Sequence, residues 1–310
     1  MTNKFQRSVR LAVFLLLMFF VCSQAVAQER GQYVPGFRGL NSTEQPHPGF
    51  TYANYLYWYP TDTLKDRHGD EVPTDFTFNL VADLNLFMYT PEKKVLGGTY
   101  AMIAAIPITN TALTLSRFGA DVGGAGLGDV YIEPVSLGWK LAKGGVRVAY
   151  GFVAPTGRFE QGATDNTTSD YWGHELSLGG TYNPDKMKHW QITAHTVWEI
   201  HQTKRHEDVK VGNNVTLEYG VGKTFIKNQG KQVLQLGVVG YGEFQLTNDS
   251  GSDVLPFNVG ANDRTFALGA EFGVILPPQK FHFVIRVLPE FGSRSFTQGV
   301  ALWVGFGKTF

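Results

Sequence analysis

The sequence predicts an all-β fold, a closed antiparallel transmembrane β-barrel of about 12 strands. Three observations lead to this prediction: an N-terminal secretion signal, segments in which apolar and polar residues alternate, and a C-terminal strand that ends on Phe310. A chain that spans a membrane must satisfy its backbone polar groups internally, which leaves helices and closed barrels. Beyond the secretion signal the sequence has no helix-length apolar run, so the alternating segments favour the barrel.

The first 27 residues have the features of a secretory signal peptide. Basic residues precede a short apolar run at 11–21, and residues 25–27 read Ala-Val-Ala, a small-residue cleavage site. The run is shorter than the roughly 20 residues that a spanning helix needs. We therefore expect residues 1–27 to be removed. The mature chain then contains no cysteine, because Cys22 is the only one in the sequence.

The charge of the mature chain argues against nucleic acid as a partner. Without the signal the chain has 24 basic and 27 acidic residues, a formal charge of −3. Nucleic-acid binding requires a basic patch or stripe. Secretion and a barrel pattern together predict the bacterial outer membrane as the location. The expected partners are outer-membrane lipid, the barrel-assembly machinery and a small-molecule solute that the sequence does not identify.

Period-two alternation divides the chain after residue 48 into about twelve strand-length segments. Short connections between them mostly alternate with longer ones, as periplasmic turns alternate with outer loops in barrels. We expect residues 49–310 to form the barrel, and residues 28–48 to form a periplasmic N-terminal tail or a small plug. The predicted strands span about 49–59, 73–89, 95–106, 127–141, 145–158, 170–183, 189–203, 213–226, 232–247, 263–276, 280–291 and 299–310.

The apolar face of each strand is expected to meet lipid. The clearest alternation runs from Phe76 to Met88, where seven apolar residues alternate with a mostly polar set that includes Asp83. The last strand has a similar apolar face, and we interpret its final residue, Phe310, as an assembly signal. Aromatic residues near strand ends are typical of the two membrane interfaces. Trp58 and Tyr59 are examples, and we expect them at an interface.

The opposite faces are then expected to line the lumen. Two roles remain open for their ionisable side chains. The first is a structural network, because a carboxylate at membrane depth requires a polar interior. The second is a selectivity lining, because acidic rings favour cations. The lumen-lining candidates are Asp83, Glu133, Arg147, Glu175, Glu199, Glu218, Tyr241, Glu243, Glu271, Arg286 and Glu290.

The histidines do not predict a metal centre. His195 and Glu199 share a strand face, but four residues of strand span about 13 Å, too far for two ligands of one ion. A His and a Glu two residues apart would be better spaced, and Glu199 with His201 is the only such pair on that strand. We therefore predict no metal site and no cofactor.

Enzyme motifs are similarly weak. The glycine-rich run at 123–128 lacks the Lys-Ser/Thr of a phosphate-binding loop. Ser177 could pair with His174 or His195 in a barrel hydrolase, but the sequence contains no G-x-S-x-G nucleophile motif. We predict no catalytic residue.

A set of glycine-aromatic motifs resembles a known family, and the resemblance covers about residues 127–251 well and the rest more loosely. The motifs are Gly126-Leu-Gly-Asp129, Tyr150-Gly-Phe152, Ala154-Pro-Thr-Gly-Arg-Phe159, Leu217-Glu-Tyr-Gly220 and Leu236-Gly-Val-Val-Gly-Tyr241. They resemble the outer-membrane family named for a meta-pathway of phenol degradation, whose members are labelled as transporters. The resemblance implies a barrel linked to the catabolism of aromatic compounds, and it implies no particular ligand residues.

The sequence thus favours an outer-membrane channel or transporter for the passive uptake of small molecules, with aromatic or other apolar compounds as candidates. Two alternatives remain. One is a plugged structural or adhesion barrel that acts through its outer loops. The other, less favoured, is a barrel hydrolase.

Overall fold

Twelve long strands, connected in chain order, form a closed antiparallel barrel. The computed structural model describes residues 31–116, 120–160, 163–254 and 260–310, so the predicted signal peptide, 1–27, lies outside the described residues. The barrel strands are β1 (Gly49–Thr61), β2 (Phe76–Thr90), β3 (Thr99–Leu115), β4 (Val130–Leu141), β5 (Gly144–Ala154), β6 (Gly173–Tyr182), β7 (Trp190–His201), β8 (Asn214–Lys227), β9 (Gln232–Gln245), β10 (Arg264–Leu276), β11 (Phe281–Arg294) and β12 (Val300–Thr309).

Each barrel strand pairs with its neighbours in the sequence, and β1 pairs with β12 to close the sheet. At this seam the Phe310 N–H donates to the Phe50 carbonyl at 2.9 Å. Closure satisfies the backbone groups of both terminal strands, as a barrel in lipid requires. The prediction of a twelve-stranded antiparallel barrel is confirmed. No helix within the described ranges is both long and apolar enough to cross a membrane.

β3 is the strand whose predicted end differs most from the structure. It continues to Leu115 rather than ending near residue 106. The reason is that the following loop folds back onto it: residues 120–122 pair with 113–115, and residues 125–127 pair with 108–110. This loop therefore extends the barrel wall on the side of the long connections.

The outer surface carries the apolar belt of an outer-membrane barrel. Exposed side chains there include Val238 on β9, at 54% of its full exposure, and Leu268 on β10, at 47%. Trp190 and Tyr182, also exposed, lie at strand ends, where aromatic residues meet the membrane interfaces. This belt meets outer-membrane lipid.

The side chains of β2 point in the opposite directions to those predicted. Phe78, Leu86 and Met88 are buried inside the barrel, whereas Asp83 points outward. The register shows this, because Asp83 pairs with exposed Leu56 of β1 and with exposed Ile108 of β3. The expectations that the apolar face of β2 meets lipid and that Asp83 lines the lumen are therefore wrong. The physical reason is that the lumen beside β2 is apolar, so its apolar face is buried there.

Tyr59 also has a different position from the predicted one. The sequence predicts it at the membrane interface, but its side chain is fully buried within the barrel. Its hydroxyl donates to Glu290 at 2.5 Å. Tyr57 and Trp303 lie on the same inner surface, with ring centroids 4.6 Å apart, so this part of the lumen is aromatic.

We predict that Val238→Arg destabilises the barrel by about 2–4 kcal/mol, because this side chain is near the middle of β9 and faces lipid. Denaturant unfolding of protein refolded into lipid vesicles measures the change. Leu246→Arg is the matched control, since Leu246 is equally exposed but follows the end of β9. Equal stability of wild type and Val238→Arg would show that β9 does not cross the apolar belt as described.

Candidate functional site

The N-terminal segment of the described chain, residues 31–48, runs through the barrel interior; we call it the inner segment. Near the end with the long loops, the Gln32 amide donates to Ser169 Oγ at 2.5 Å and to the Tyr171 carbonyl at 3.1 Å. At the opposite end the segment joins β1 at Gly49. Leu40, between these points, is 1% exposed. The inner segment therefore occupies the lumen along its length.

Glu218 on β8 holds the inner segment through both carboxylate oxygens. Oε1 accepts from the Tyr33 hydroxyl at 2.5 Å and from the Gly36 N–H at 2.9 Å. Oε2 accepts from the N–H groups of Arg38 and Gly39, each at 3.0 Å. Glu218 is 1% exposed, and a buried carboxylate requires such donors. The Glu218 side chain and the irregular backbone of the inner segment thus satisfy each other's hydrogen-bonding groups.

A second contact joins the inner segment to β10 and β11. Arg286 Nε donates to Glu271 Oε2 at 2.6 Å, and the same oxygen accepts from the Leu40 N–H at 3.1 Å. Arg286 Nη1 donates to the Phe37 carbonyl at 2.8 Å. At Gly39, which has a φ of +51°, a Cβ atom would lie 2.0 Å from Glu271 Oε2. Glycine is therefore required at position 39, where the backbone lies against the Glu271 side chain.

A third buried cluster lies on β4 and β5. Arg147 forms an ion pair with Glu133 and donates from Nε to Ser136 Oγ at 2.9 Å. Arg38 of the inner segment approaches Glu133 at 3.4 Å. The Tyr131 hydroxyl donates to Glu133 at 3.0 Å. One carboxylate thus contacts two arginines, one from the wall and one from the segment.

The remaining lumen candidates also point inward. Glu199 on β7 accepts from the Tyr33 N–H at 2.8 Å, and Glu175 lies beside it on β6, in register and buried. The Tyr241 hydroxyl donates to Glu290 at 2.7 Å. Glu243 is buried on β9, and its Oε1 is 3.5 Å from the Asn214 amide. These contacts cross-link strands and inner segment; whether the charges also select ions stays a prediction.

Sequence reasoning missed a cavity of about 970 Å³ between the inner segment and the wall formed by β1–β3. It reaches from Leu64 and Val72 in the first long loop to Met88 and Phe281 at the opposite end. The cavity therefore extends along the barrel. Its apolar wall is formed mainly by Leu80, Ala82, Leu84, Leu86, Ile103, Ala105, Leu113 and Leu115.

The opposite wall of the cavity is polar. Arg147, Glu175, Ser177 and His195 line it, and Arg38 adds a charge from the inner segment. His195 is 1% exposed, and neither of its ring nitrogens has a hydrogen-bond partner among the described residues. The lumen thus presents hydrogen-bonding groups on one side and hydrocarbon on the other. The sequence feature that could have predicted an apolar cavity wall is the apolar face of β2, if it is taken to point into the lumen.

Of the residues considered for a hydrolase, Ser177 and His195 both line the cavity but form no hydrogen bond with each other, whereas His174 lies apart from them. The Ser177 hydroxyl lies 3.3 Å from Arg147 Nη1 on the inner face. His174 lies on the outer face, where its Nδ1 is 2.9 Å from the Tyr150 hydroxyl.

Glu199 Oε1 and His201 Nε2, the pair considered for a metal ion, are 3.6 Å apart. No group of three metal-binding side chains occurs within the described ranges.

We predict that Glu218→Gln loosens the inner segment, because the amide keeps one acceptor oxygen and places an NH₂ group against backbone donors. Hydrogen bonds to a charged group contribute about 1.5–3 kcal/mol, so amide exchange at residues 36, 38 and 39 should increase roughly tenfold or more. Glu243→Gln is the control, since Glu243 lies near Asn214 of β8. Unchanged exchange in Glu218→Gln would contradict an anchoring role.

Comparison with known proteins gives both fold and family. No curated protein sequence matches the chain. Among solved structures, an outer membrane channel from Pseudomonas putida F1 is similar, with a TM-score of 0.72 and 12% identity over 90% of this chain and 100% of that one. The β domain of the Bordetella autotransporter Brka is also similar, with a TM-score of 0.53 and 12% identity over 85% of this chain and 100% of that one. The family model described as "Putative MetA-pathway of phenol degradation" matches residues 61–306, and the chain belongs to this family.

Proposed function

We propose that the protein is an outer-membrane channel for the passive uptake of small molecules that have an apolar body, aromatic compounds among them. The observation that carries this proposal is the cavity of about 970 Å³ along the apolar inner wall of β2 and β3. Its volume is at the upper end of the range for small-molecule sites. The family description and the channel among the similar structures support the same function.

The two walls of the cavity suit passage better than tight capture. Leu84 and Ile103 offer contact to a ring or alkyl group without a directional requirement, and Ser177 and His195 offer hydrogen bonds to a polar substituent. Conduction needs binding that is favourable enough for entry and weak enough for release. A continuous apolar surface supplies many such weak positions between the two ends of the barrel.

In this proposal residues 28–48 act as a plug rather than a periplasmic tail. The contacts of Tyr33, Gly36, Arg38 and Gly39 with Glu218 hold the described part of this segment against the polar half of the lumen. The plug narrows the water-accessible space and leaves the apolar half open. The barrel itself, residues 49–310, is expected to be assembled by the barrel-assembly machinery, with the exposed Phe310 as the signal.

We predict that Ala105→Phe slows the uptake of a small aromatic such as phenol several-fold, because Ala105 lines the cavity and the larger side chain fills it. Uptake into proteoliposomes is the measurement. Ala104→Phe is the matched control, since Ala104 pairs with exposed Phe87 on the outer face. Folded wild-type protein with no uptake above empty vesicles would overturn the channel and favour an adhesion or structural barrel.

We predict that deletion of residues 31–46 raises ionic conductance in planar bilayers, because the polar half of the lumen then fills with water. The full-length protein is expected to show a small conductance that phenol partly blocks. Heat-modifiable migration of the deletion variant on a gel verifies its folding. Equal conductance with and without the segment would contradict its role as a plug, while the uptake assay tests the channel separately.

A further inference from the structure

Four polar side chains lie together on the outer face of β1 and β2; we call Tyr52, Asn54, Asp83 and Asn85 the outer polar cluster. The Tyr52 hydroxyl donates to Asn85 Oδ1 at 2.7 Å. The Asn54 amide donates to Asp83 Oδ1 and lies 3.4 Å from Asn85 Oδ1. All four side chains are half-buried and face away from the lumen.

The cluster lies within the apolar belt. Asp83 is the eighth of the fifteen residues of β2, so seven residues separate it from either end of the strand. Its cross-strand row contains Leu56, Ile108 and Val304, which are exposed by 44%, 53% and 42%. An ionisable side chain at this depth is costly in hydrocarbon and is normally directed to protein or water. Exposure of Asp83 to lipid alone is therefore energetically unfavourable.

Hydrogen-bonding capacity remains in the cluster. Among the described residues the Asn85 amide nitrogen reaches only Asp83, at 3.4 Å from Oδ1 and 3.5 Å from its carbonyl oxygen. These distances are at the limit of a hydrogen bond. Asp83 Oδ2 accepts no hydrogen bond from any described residue. The same small surface thus presents a donor with only long hydrogen bonds and an acceptor oxygen with none from the described residues.

We propose that the outer faces of β1–β3 form a twofold interface between two copies of this chain. In a twofold arrangement the same patch meets itself, so donors of one copy face acceptors of the other. The Asn85 amide of each copy can then donate to Asp83 of its partner. Exposed Leu56 and Ile108 surround the cluster and are buried with it. This inference does not depend on the proposed uptake function.

Cysteine cross-linking in native outer membranes tests the interface. We expect Leu56→Cys to form a disulfide-linked dimer on mild oxidation, because this residue borders the outer polar cluster and leaves its hydrogen-bonding groups intact. Leu217→Cys on β8 is the control, since Leu217 is similarly accessible to lipid at 43% exposure but lies on the opposite side of the barrel. The predicted mature chain has no other cysteine. Absence of the Leu56→Cys dimer, or equal cross-linking of both variants, would overturn the proposal.

A second measurement compares the mass of the wild-type protein with that of an Asp83 variant and needs no added cysteine. Light scattering of the detergent-solubilised protein should give the mass of two chains, and Asp83→Leu should give the mass of one chain. Heat-modifiable migration verifies that Asp83→Leu is folded. A monomeric wild type, or a dimer that Asp83→Leu leaves intact, would contradict an interface built on this carboxylate. Should Asp83→Leu not fold, the comparison of Leu56→Cys with Leu217→Cys decides alone.

Discussion

The Glu218 carboxylate and the four donors that surround it are the interaction on which the lumen depends. A chain segment without regular structure carries backbone N–H groups that need acceptors, and a carboxylate buried inside a barrel needs donors. Glu218 meets both needs with Tyr33, Gly36, Arg38 and Gly39. Removal of either partner would leave the other to find its hydrogen-bond partners in water. The inner segment and the barrel charges are therefore interdependent.

This attachment decides where the lumen is open. The charged residues concentrate on β4–β11, where Glu218, Glu271 and Glu133 contact the inner segment. The apolar faces of β2 and β3 offer the segment no comparable partners, so the cavity remains beside them. Phe37 lies at the boundary, with its ring 5.0 Å from that of Tyr55 and 5.7 Å from that of Trp303. The free space is consequently apolar on one side, which is the property that a channel for apolar solutes needs.

The sequence predicted most of the barrel because alternation is a local property. Twelve strands, their order and the inward position of residues such as Arg147 and Glu271 follow from period two and from the membrane's exclusion of charge. The facing of β2 did not follow, since alternation shows which residues share a face but not which face is inside. The rule that apolar means outward fails where the lumen itself is apolar. The cavity and the contacts of the inner segment depend on tertiary packing, which no local pattern encodes.

The inner wall and the outer polar cluster are two consequences of one strand register. Because side chains alternate, burying Leu84 and Leu86 in the lumen necessarily places Asp83 and Asn85 on the outer surface. A shift of β2 by one residue would restore a conventional outer face, but it would place a carboxylate against the solute pathway. An apolar lumen thus creates a polar outer face at the depth of lipid, and a second copy of the chain that covers this face would remove the conflict. In this view the choice of solute and the association of the barrels have a common physical origin.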